Sequence, residues 1–268
     1  MVDTRENSAT VMPGLRLSWG GLHPDGRVPV LLVPGYGDSW RFWLPIFPYL
    51  PDSLRVFALS PRGHGTSDAP ATGYTVADNA DDLARFLDAV HITKAIVVGH
   101  SSGGYVARQF AVDHPDRVQA LVLVGSPLSL HGRRAPFSAL VESMQDPVDP
   151  ATVRAFAAGF AHYADVDPAV QDAVINDALR MPARAWQQTL AGLTEAGAPP
   201  PNRIYAPTLV AWGADDELLD AAEPRVLAES IPGARQREYP AAGHLVAWDV
   251  PAALASDLVE FSMASGGS

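Results

Sequence analysis

Short, continuously apolar segments recur along this chain, and they limit the folds that it can adopt. Five of them are Val28–Val33, Leu54–Leu59, Ala95–Val98, Leu121–Val124 and Thr208–Trp212. A strand that is apolar on both faces must be buried on both, which is typical of parallel strands covered by helices. Helical patterns separate these segments. We therefore predict an α/β fold, with a mostly parallel central sheet and helices on both faces.

Three helical patterns support this architecture. They lie at Val76–Val90, Tyr105–His114 and Ala252–Met263. The first has acidic residues in its opening turns, where carboxylates suit the helix dipole, and apolar residues at helical spacing after them. In sheets of this kind, ligands bind beyond the carboxyl ends of the strands. The loops that follow the strands are therefore the place to look for chemistry.

The alternation of strand and helix stops in the segment 129–201. This segment has no convincing strand, and it carries two clear helix starts, at Asp149-Pro150 and Asp167-Pro168. An aspartate before a proline is a typical helix start, because the carboxylate caps free N–H groups and proline suits the first turn. We predict that 129–201 forms a helical cap, or lid, inserted into a core made of 1–128 and 202–268. The alternative is a helical subdomain packed against one edge of the sheet.

Ser101 stands where the Ala95–Val98 strand turns into the next helix. The sequence Gly99-His100-Ser101-Ser102-Gly103 places it between two glycines. Such a turn strains the serine backbone, while the glycines let neighbouring elements approach closely. The free N–H groups of the following helix favour developing negative charge. The pattern predicts a nucleophilic serine, although a turn with glycines for packing alone would look similar.

A nucleophilic serine needs a base, and we predict that the base is His244. The chain has eight histidines. His244 lies in a loop between the predicted strand Arg237–Tyr239 and the last helix, and a glycine precedes it. His100 is next to Ser101 in sequence, but neighbours on such a turn usually point apart. The base in turn needs an acid to orient it.

That acid is predicted in the loop after the strand Thr208–Trp212. Three adjacent acids, Asp215, Asp216 and Glu217, follow the end of this strand. At least one of them is expected to be an ordinary solvated residue of an acidic turn. We predict Asp216 as the partner of the histidine, with Asp215 as the alternative.

Two backbone N–H groups are expected to bind the negative oxygen of a tetrahedral intermediate. One belongs to Ser102, directly after the predicted nucleophile. The other is predicted at Tyr36, in the glycine-rich loop 33–40 after the first predicted strand. A glycine-rich turn with no such role is the alternative for this loop. Trp40 and Leu245 flank the two loops and are predicted to line the substrate pocket.

The joint pattern resembles the α/β-hydrolase superfamily. The order Ser101, Asp216, His244, with Gly35-Tyr36-Gly37 upstream, is similar to that of the family. The loop 61–68 resembles the loop after the family's next core strand. The acid loop 212–216 and the histidine loop with its helix entry at 249–251 are similar too. The resemblance spans 28–265, with the helical insertion as the variable part.

Two positions depart from the family pattern. Pro34 stands where many relatives have histidine before the glycine of the oxyanion loop, and Ser60 stands where an aspartate is common. Neither departure removes a catalytic group. Both concern the shape of the floor of the site.

The resemblance implies a serine hydrolase acting through an acyl-enzyme, most simply a carboxylesterase or lactonase with a small to medium apolar substrate. Ser101 is not the aspartate that dehalogenases and epoxide hydrolases of this fold use. Aromatic residues of the insertion suggest an apolar pocket, namely Phe137, Phe156, Phe160 and Trp186. Carbon–carbon bond hydrolysis and cofactor-free perhydrolysis are alternatives on the same residues. A ligand receptor built on this fold is the alternative outside enzymes.

Charge and composition exclude several other classes. The formal net charge of −11 argues against a nucleic-acid partner and a polybasic membrane contact. The absence of cysteine excludes disulfides and thiol nucleophiles. The first residues lack the apolar region of a signal peptide, so we expect a cytoplasmic protein. We expect a small-molecule ester as partner, no cofactor and no metal, and leave the oligomeric state open.

Overall fold

A computed structural model describes residues 5–160 and 166–265. Its sheet has eight strands in the order β1-β2-β4-β3-β5-β6-β7-β8. The strands are β1 Glu6–Met12, β2 Leu15–Leu22, β3 Val28–Val33, β4 Leu54–Leu59, β5 Ala95–His100, β6 Val118–Val124, β7 Thr208–Gly213 and β8 Arg235–Tyr239. Strands β3 to β8 pair in parallel, whereas β2 pairs antiparallel with β1 and β4. The predicted mostly parallel sheet is confirmed.

Helices cover both faces of the sheet. They are α1 Val76–Ala89, α2 Ser102–Asp113, α3 Ser138–Glu142, α4 Pro150–Ala158, α5 Pro168–Ala178, α6 Ala183–Glu195, α7 Glu223–Ser230, α8 Val246–Asp249 and α9 Pro251–Ser265. Short 3₁₀ helices occupy Trp40–Tyr49, Pro115–Arg117 and Pro201–Arg203. Within the described ranges, no helix has both the length and the apolar character needed to cross a membrane.

Successive side chains of each strand point to opposite faces of the sheet, so the interior is divided into two cores. In β3, Leu31 and Val33 point to the core beneath α1 and α2. Val30 and Leu32 point to the opposite core, which the 3₁₀ helix at 40–49 and α9 cover. Burial of apolar side chains on both faces stabilises the sheet and fixes its register, because a shift of one residue would exchange the two faces.

Among the described residues, four α-helices, α3 to α6, lie between β6 and β7. The two predicted helix starts are present: the Asp149 carboxylate accepts from Thr152 N–H at 3.1 Å, and that of Asp167 accepts from Ala169 N–H at 2.9 Å. Residues 161–165 of the predicted insertion lie outside the described residues. The division into a core and a cap stays a prediction.

Arg108 of α2 holds the two ends of this helical segment together. Its side chain is 1% exposed, and Nη1 donates to the carbonyl oxygens of Pro127 and Leu128 at 2.8 and 3.1 Å. Nη2 donates to the carbonyl oxygen of Pro199 at 3.3 Å. One buried guanidinium therefore fixes both the exit from β6 and the return towards β7.

Candidate active site

Ser101 joins β5 to α2 in a conformation that side chains other than glycine rarely adopt. Its φ is 52° and its ψ is −123°. The strand-side hydrogen bond from Ser101 N–H to Val124 O, 2.9 Å long, holds this turn against β6. A positive φ at a non-glycine residue costs about 1–3 kcal/mol, which the surrounding structure must offset. The turn lifts the side chain away from the sheet at the carboxyl ends of the parallel strands.

The flanking glycines are needed because backbone passes close to them. A Cβ on Gly99 would collide with the backbone of Gly103 and Gly104 at the start of α2. A Cβ on Gly103 would collide with the carbonyl oxygens of Val33 and Pro34 at the end of β3. The sequence pattern therefore reflects close packing of the turn as well as exposure of the serine.

Three predicted residues from three separate loops meet in one hydrogen-bonded line. His244 Nε2 lies 3.0 Å from Ser101 Oγ, and His244 Nδ1 lies 2.8 Å from Asp216 Oδ2. Since an ionised carboxylate only accepts, the proton of the neutral imidazole belongs on Nδ1. The lone pair on Nε2 then faces the serine hydroxyl. This tautomer lets the imidazole take a proton from Ser101.

The acid in contact with the histidine is Asp216, and its carboxylate is held from both sides. While Oδ2 faces His244, Oδ1 accepts the N–H groups of Leu218 and Leu219 at 2.9 and 3.1 Å. Burial alone would raise the pKa of Asp216, but these donors and His244 outweigh it and lower the pKa. Asp215 is exposed, and its side chain forms no hydrogen bond or ion pair with His244.

His100 lies behind this line and positions it. Its Nε2–H donates to the backbone oxygen of His244 at 3.0 Å, and its ring stacks on Phe42 with 4.4 Å between centroids. Burial and the neighbouring His244 lower the pKa of His100 to about 3, so the ring is neutral. A neutral His100 places no positive charge beside the imidazole that would become protonated.

The two predicted oxyanion donors have no competing acceptor in the part of the chain that the structure describes: neither Tyr36 N–H nor Ser102 N–H is bonded there. Ser102 N–H is at the start of α2, where N–H groups lack partners within the helix. The Tyr36 side chain points towards the helical segment, where its hydroxyl donates to Trp186 O at 2.7 Å. The backbone of Tyr36 is thus anchored through its ring.

A cavity of about 310 Å³ opens above Ser101 and His244. Its wall is mainly apolar and comes from both sides of the chain. The core contributes Tyr36, Phe42, Leu245 and Trp248, and the helical segment contributes Phe137, Val153, Phe156, Phe160, Val174 and Ile175. A second, more open cavity of about 440 Å³ adjoins it along Phe156, Phe160 and His244.

The structure places the two predicted pocket residues differently. Leu245 lines the cavity, but Trp40 lies outside it. Trp40 begins the 3₁₀ helix beneath the loop, where its ring faces Gly20 of β2 and its Nε1 donates to Glu6 at 3.0 Å. A tryptophan beside a ligand-binding loop can equally pack under the sheet, and this one does.

The aromatic residues of the helical segment that were expected to form the pocket fall into two groups. Phe137, Phe156 and Phe160 line the cavity, whereas Trp186 is completely buried behind them. Its ring packs edge-on against Tyr36 and Phe156, at centroid distances of 5.2 and 5.0 Å. Trp186 therefore supports the wall without forming its surface.

Sequence reasoning missed Asp38, which lines the same cavity as Ser101. Asp38 lies deep within the protein yet stays partly accessible, and it borders the cavity. Burial raises the pKa of its carboxyl to about 7. An acid inside the glycine-rich loop 33–40 was the available signal. Among the described residues no cluster of histidine, aspartate and glutamate could hold a metal ion.

Replacing Asp38 with asparagine is expected to stabilise the protein more at about pH 8 than at about pH 5.5. The folded pKa lies above the unfolded one, so the folded state holds the proton longer and stability falls as pH rises from about 4 to about 7. Because the carboxyl borders a cavity, we expect Asp38→Asn to raise the free energy of unfolding by about 1–3 kcal/mol above pH 7. Urea unfolding at both pH values measures it. An equal effect at the two pH values would contradict a raised pKa.

Comparisons with known proteins agree with this geometry. A sequence profile described as alpha/beta hydrolase fold matches residues 28–167. The chain is 34% identical, over 82% of its length, to the putative carbamate hydrolase RutD of Variovorax paradoxus, and covers 85% of that protein. Esterase RhEst1 from a Rhodococcus species superposes with a TM-score of 0.82 at 25% identity, covering 97% of this chain and 99% of that structure.

Other curated relatives are longer or match over a shorter stretch. The acetyltransferase component of the acetoin cleaving system of Cupriavidus necator is 33% identical over 82% of this chain. The match spans 59% of that protein, and with other relatives it spans 45–59% of the relative's length.

Proposed function

This chain belongs to the alpha/beta hydrolase fold family, and on that premise we propose that it is a serine hydrolase that cleaves small to medium apolar carboxylic esters or lactones. The observation that carries the proposal is the line from Asp216 through His244 to Ser101, at the floor of an apolar cavity. Acyl transfer needs a nucleophile, a base and an oriented acid in this order.

In the proposed reaction, Ser101 Oγ attacks the ester carbonyl while His244 Nε2 accepts the hydroxyl proton. The resulting imidazolium is stabilised by Asp216, whose carboxylate stays ionised. The negative oxygen of the tetrahedral intermediate is bound by the N–H groups of Tyr36 and Ser102. His244 then gives its proton to the leaving alcohol, and an acyl-enzyme remains.

Water completes the reaction by the same steps. His244 takes a proton from the water molecule, which attacks the acyl carbonyl, and Ser101 leaves with that proton. Each oxyanion donor of this kind contributes a factor of about 10²–10³ in rate. The low polarity of the cavity wall strengthens these interactions because little water competes for them.

The apolar wall and the cavity volume support an ester or lactone of modest size. The similarity to an esterase agrees with this substrate class, and the relative named as a putative carbamate hydrolase adds carbamates as substrates to test. A carbamate carbonyl would react with Ser101 by the same addition and elimination. The cytoplasmic location predicted from the sequence stays a prediction.

A fluorophosphonate probe is expected to label Ser101, and p-nitrophenyl esters of increasing acyl length are expected to be turned over repeatedly. The probe reacts with a serine whose hydroxyl is activated by a base. Peptide mass spectrometry after labelling identifies the site, with heat-denatured protein as the control, and absorbance follows hydrolysis. A p-nitrophenyl carbamate series beside the esters separates the two substrate classes.

Two results would contradict the proposal. If the probe labels another residue or none, Ser101 is not an activated nucleophile. If the protein binds esters without repeated turnover, the alternative of a ligand receptor is favoured.

A further inference from the structure

One carboxyl group in the cavity wall has no protein partner among the described residues. Asp38 forms no side-chain hydrogen bond or ion pair there, and burial is the cause of its raised pKa. The carboxylate of Asp216, by contrast, faces His244 and two backbone N–H groups. Buried ionisable groups are normally paired, so an unpaired one directed into a cavity needs a partner from outside the chain.

Asp38 lies close to the reacting serine. A Cβ on Gly35 would be 3.3 Å from Ser101 Cβ and 3.4 Å from Asp38 Oδ2. Ser101 Cβ and Asp38 Oδ2 are therefore both within van der Waals reach of one point beside Gly35. Gly35 also begins the loop that carries the proposed oxyanion donor Tyr36. A carbonyl attacked by Ser101 would place its substituents within reach of the Asp38 carboxyl.

The neighbouring imidazole cannot serve as the missing partner. His100 Nδ1 would lie 3.1 Å from the same Cβ on Gly35, and it too is buried without a hydrogen-bond partner. Since Nε2–H of this neutral ring donates to His244 O, Nδ1 carries a lone pair and has no proton to donate. With Asp38 ionised, Asp38 and His100 thus present two acceptors to this region and no donor.

The charged groups elsewhere in the wall do not supply a donor either. Arg154 of α4 and Asp172 of α5 also line the cavity, but both residues are exposed to solvent. Phe42 and His100, whose rings stack on each other, line the same cavity as Asp38. A substrate with a hydrogen-bond donor near its carbonyl would satisfy the carboxyl, whereas a purely apolar one would leave it unpaired.

We propose that Asp38 determines specificity by accepting a hydrogen bond from a hydroxyl or ammonium group on the acyl part of the ester. We place the donor on the acyl part because the leaving alcohol must face His244 Nε2. Asp38, by contrast, lies in the same loop as Tyr36, which would bind the carbonyl oxygen. The inference rests on the proposed function. A carboxyl accepts a hydrogen bond whether or not it is ionised, and a poorly solvated site strengthens that bond.

The test uses three methyl esters of nearly equal shape: methyl 3-methylbutanoate, methyl 3-hydroxybutanoate and methyl 3-aminobutanoate. They differ by one group, which is methyl, hydroxyl or ammonium. We expect kcat/KM of the wild type for the hydroxyl or ammonium ester to exceed that for the methyl ester by about 10–100-fold. The rate of methanol release gives kcat/KM for each ester. Titration of the reactive serine with the fluorophosphonate gives the concentration of active sites and so corrects for misfolded protein.

Two substitutions at Asp38 separate the effect of its hydrogen-bond acceptor from the effect of its charge. Asp38→Leu is expected to remove the preference for both polar esters. Asp38→Asn keeps an oxygen acceptor but no charge, so it should retain more of the hydroxyl preference than of the ammonium preference. Asp172→Leu, which removes a solvent-exposed carboxylate from the same cavity, is the matched control and should change the ratios less than Asp38→Leu.

The outcomes separate this inference from the proposed function. If Ser101 is labelled and the methyl ester is the best substrate, or if Asp38→Leu leaves the ratios unchanged, the role of Asp38 is overturned and the hydrolase stands. If Ser101 is not labelled and no ester is turned over, the proposed function fails and this inference fails with it.

Discussion

Ser101→Ala is expected to lower kcat/KM for p-nitrophenyl butyrate by about 10⁴-fold or more, while the protein stays folded. The variant removes the oxygen that attacks the carbonyl but leaves His244, Asp216 and the oxyanion donors in place. Only water could then act as nucleophile. The remaining donors still favour the transition state, so a small residual rate above the uncatalysed reaction is expected.

The measurement is initial-rate kinetics on both proteins, with circular dichroism to check folding. Ser143→Ala is a matched control, because Ser143 is exposed, lines neither cavity, and its hydroxyl donates to Leu140 O. Activity of Ser101→Ala within tenfold of the wild type would show that another residue is the nucleophile.

Asp216→Asn is expected to lower kcat for the same ester by about 10⁴-fold, with little change in overall structure. The asparagine amide can donate to His244 Nδ1, which favours the tautomer with its proton on Nε2. That nitrogen would then face Ser101 Oγ with a proton in place of a lone pair. The histidine would keep its position and lose its ability to act as a base.

The matched control is Asp215→Asn, which makes the same chemical change one residue earlier. Asp215 is exposed, and its backbone N–H donates to Ala242 O at 2.9 Å, while its side chain has no hydrogen bond within residues 5–160 and 166–265. Its replacement should alter kcat by less than about threefold, since surface substitutions away from a site have small effects. A larger loss in Asp215→Asn than in Asp216→Asn would reverse the assignment of the acid.

The sequence was most informative where a pattern of residues is compatible with only one kind of structure. Continuous apolar segments predicted the parallel strands because nothing but burial on both faces suits them. The loops after two of these strands contain Ser101 and Asp216, and the loop after the polar strand Arg235–Tyr239 contains His244. The structure brings the three residues together. Their meeting followed from topology, because carboxyl ends of parallel strands share one edge of a sheet.

The sequence did not predict the antiparallel hairpin of β1 and β2. Strand β1, Glu6–Met12, is polar and mostly exposed at the edge of the sheet, so it lacks the apolar run that identified the central strands. The 3₁₀ helix at 40–49 was missed because Pro45 and Pro48 interrupt any α-helical pattern. In both cases tertiary packing outweighs the local signal.

The direction of individual side chains in the loops could not be predicted from the sequence either. Trp40 and Asp38 are two residues apart in one loop, yet one packs beneath the sheet and the other faces the cavity. Adjacent positions in an irregular loop follow no fixed period, so hydropathy does not tell which residue turns inward. Whether the Asp38 carboxyl has a partner depends on every element around it, and no local pattern contains that information.

The guanidinium of Arg108 binds the helical segment through main-chain oxygens at Pro127, Leu128 and Pro199. Every amino acid provides such an oxygen, so these three hydrogen bonds do not depend on which side chains the segment carries. Side chains that line the cavity can therefore change without the loss of these bonds. The shape of the cavity would then change through residues of the helical segment, which lies above the sheet.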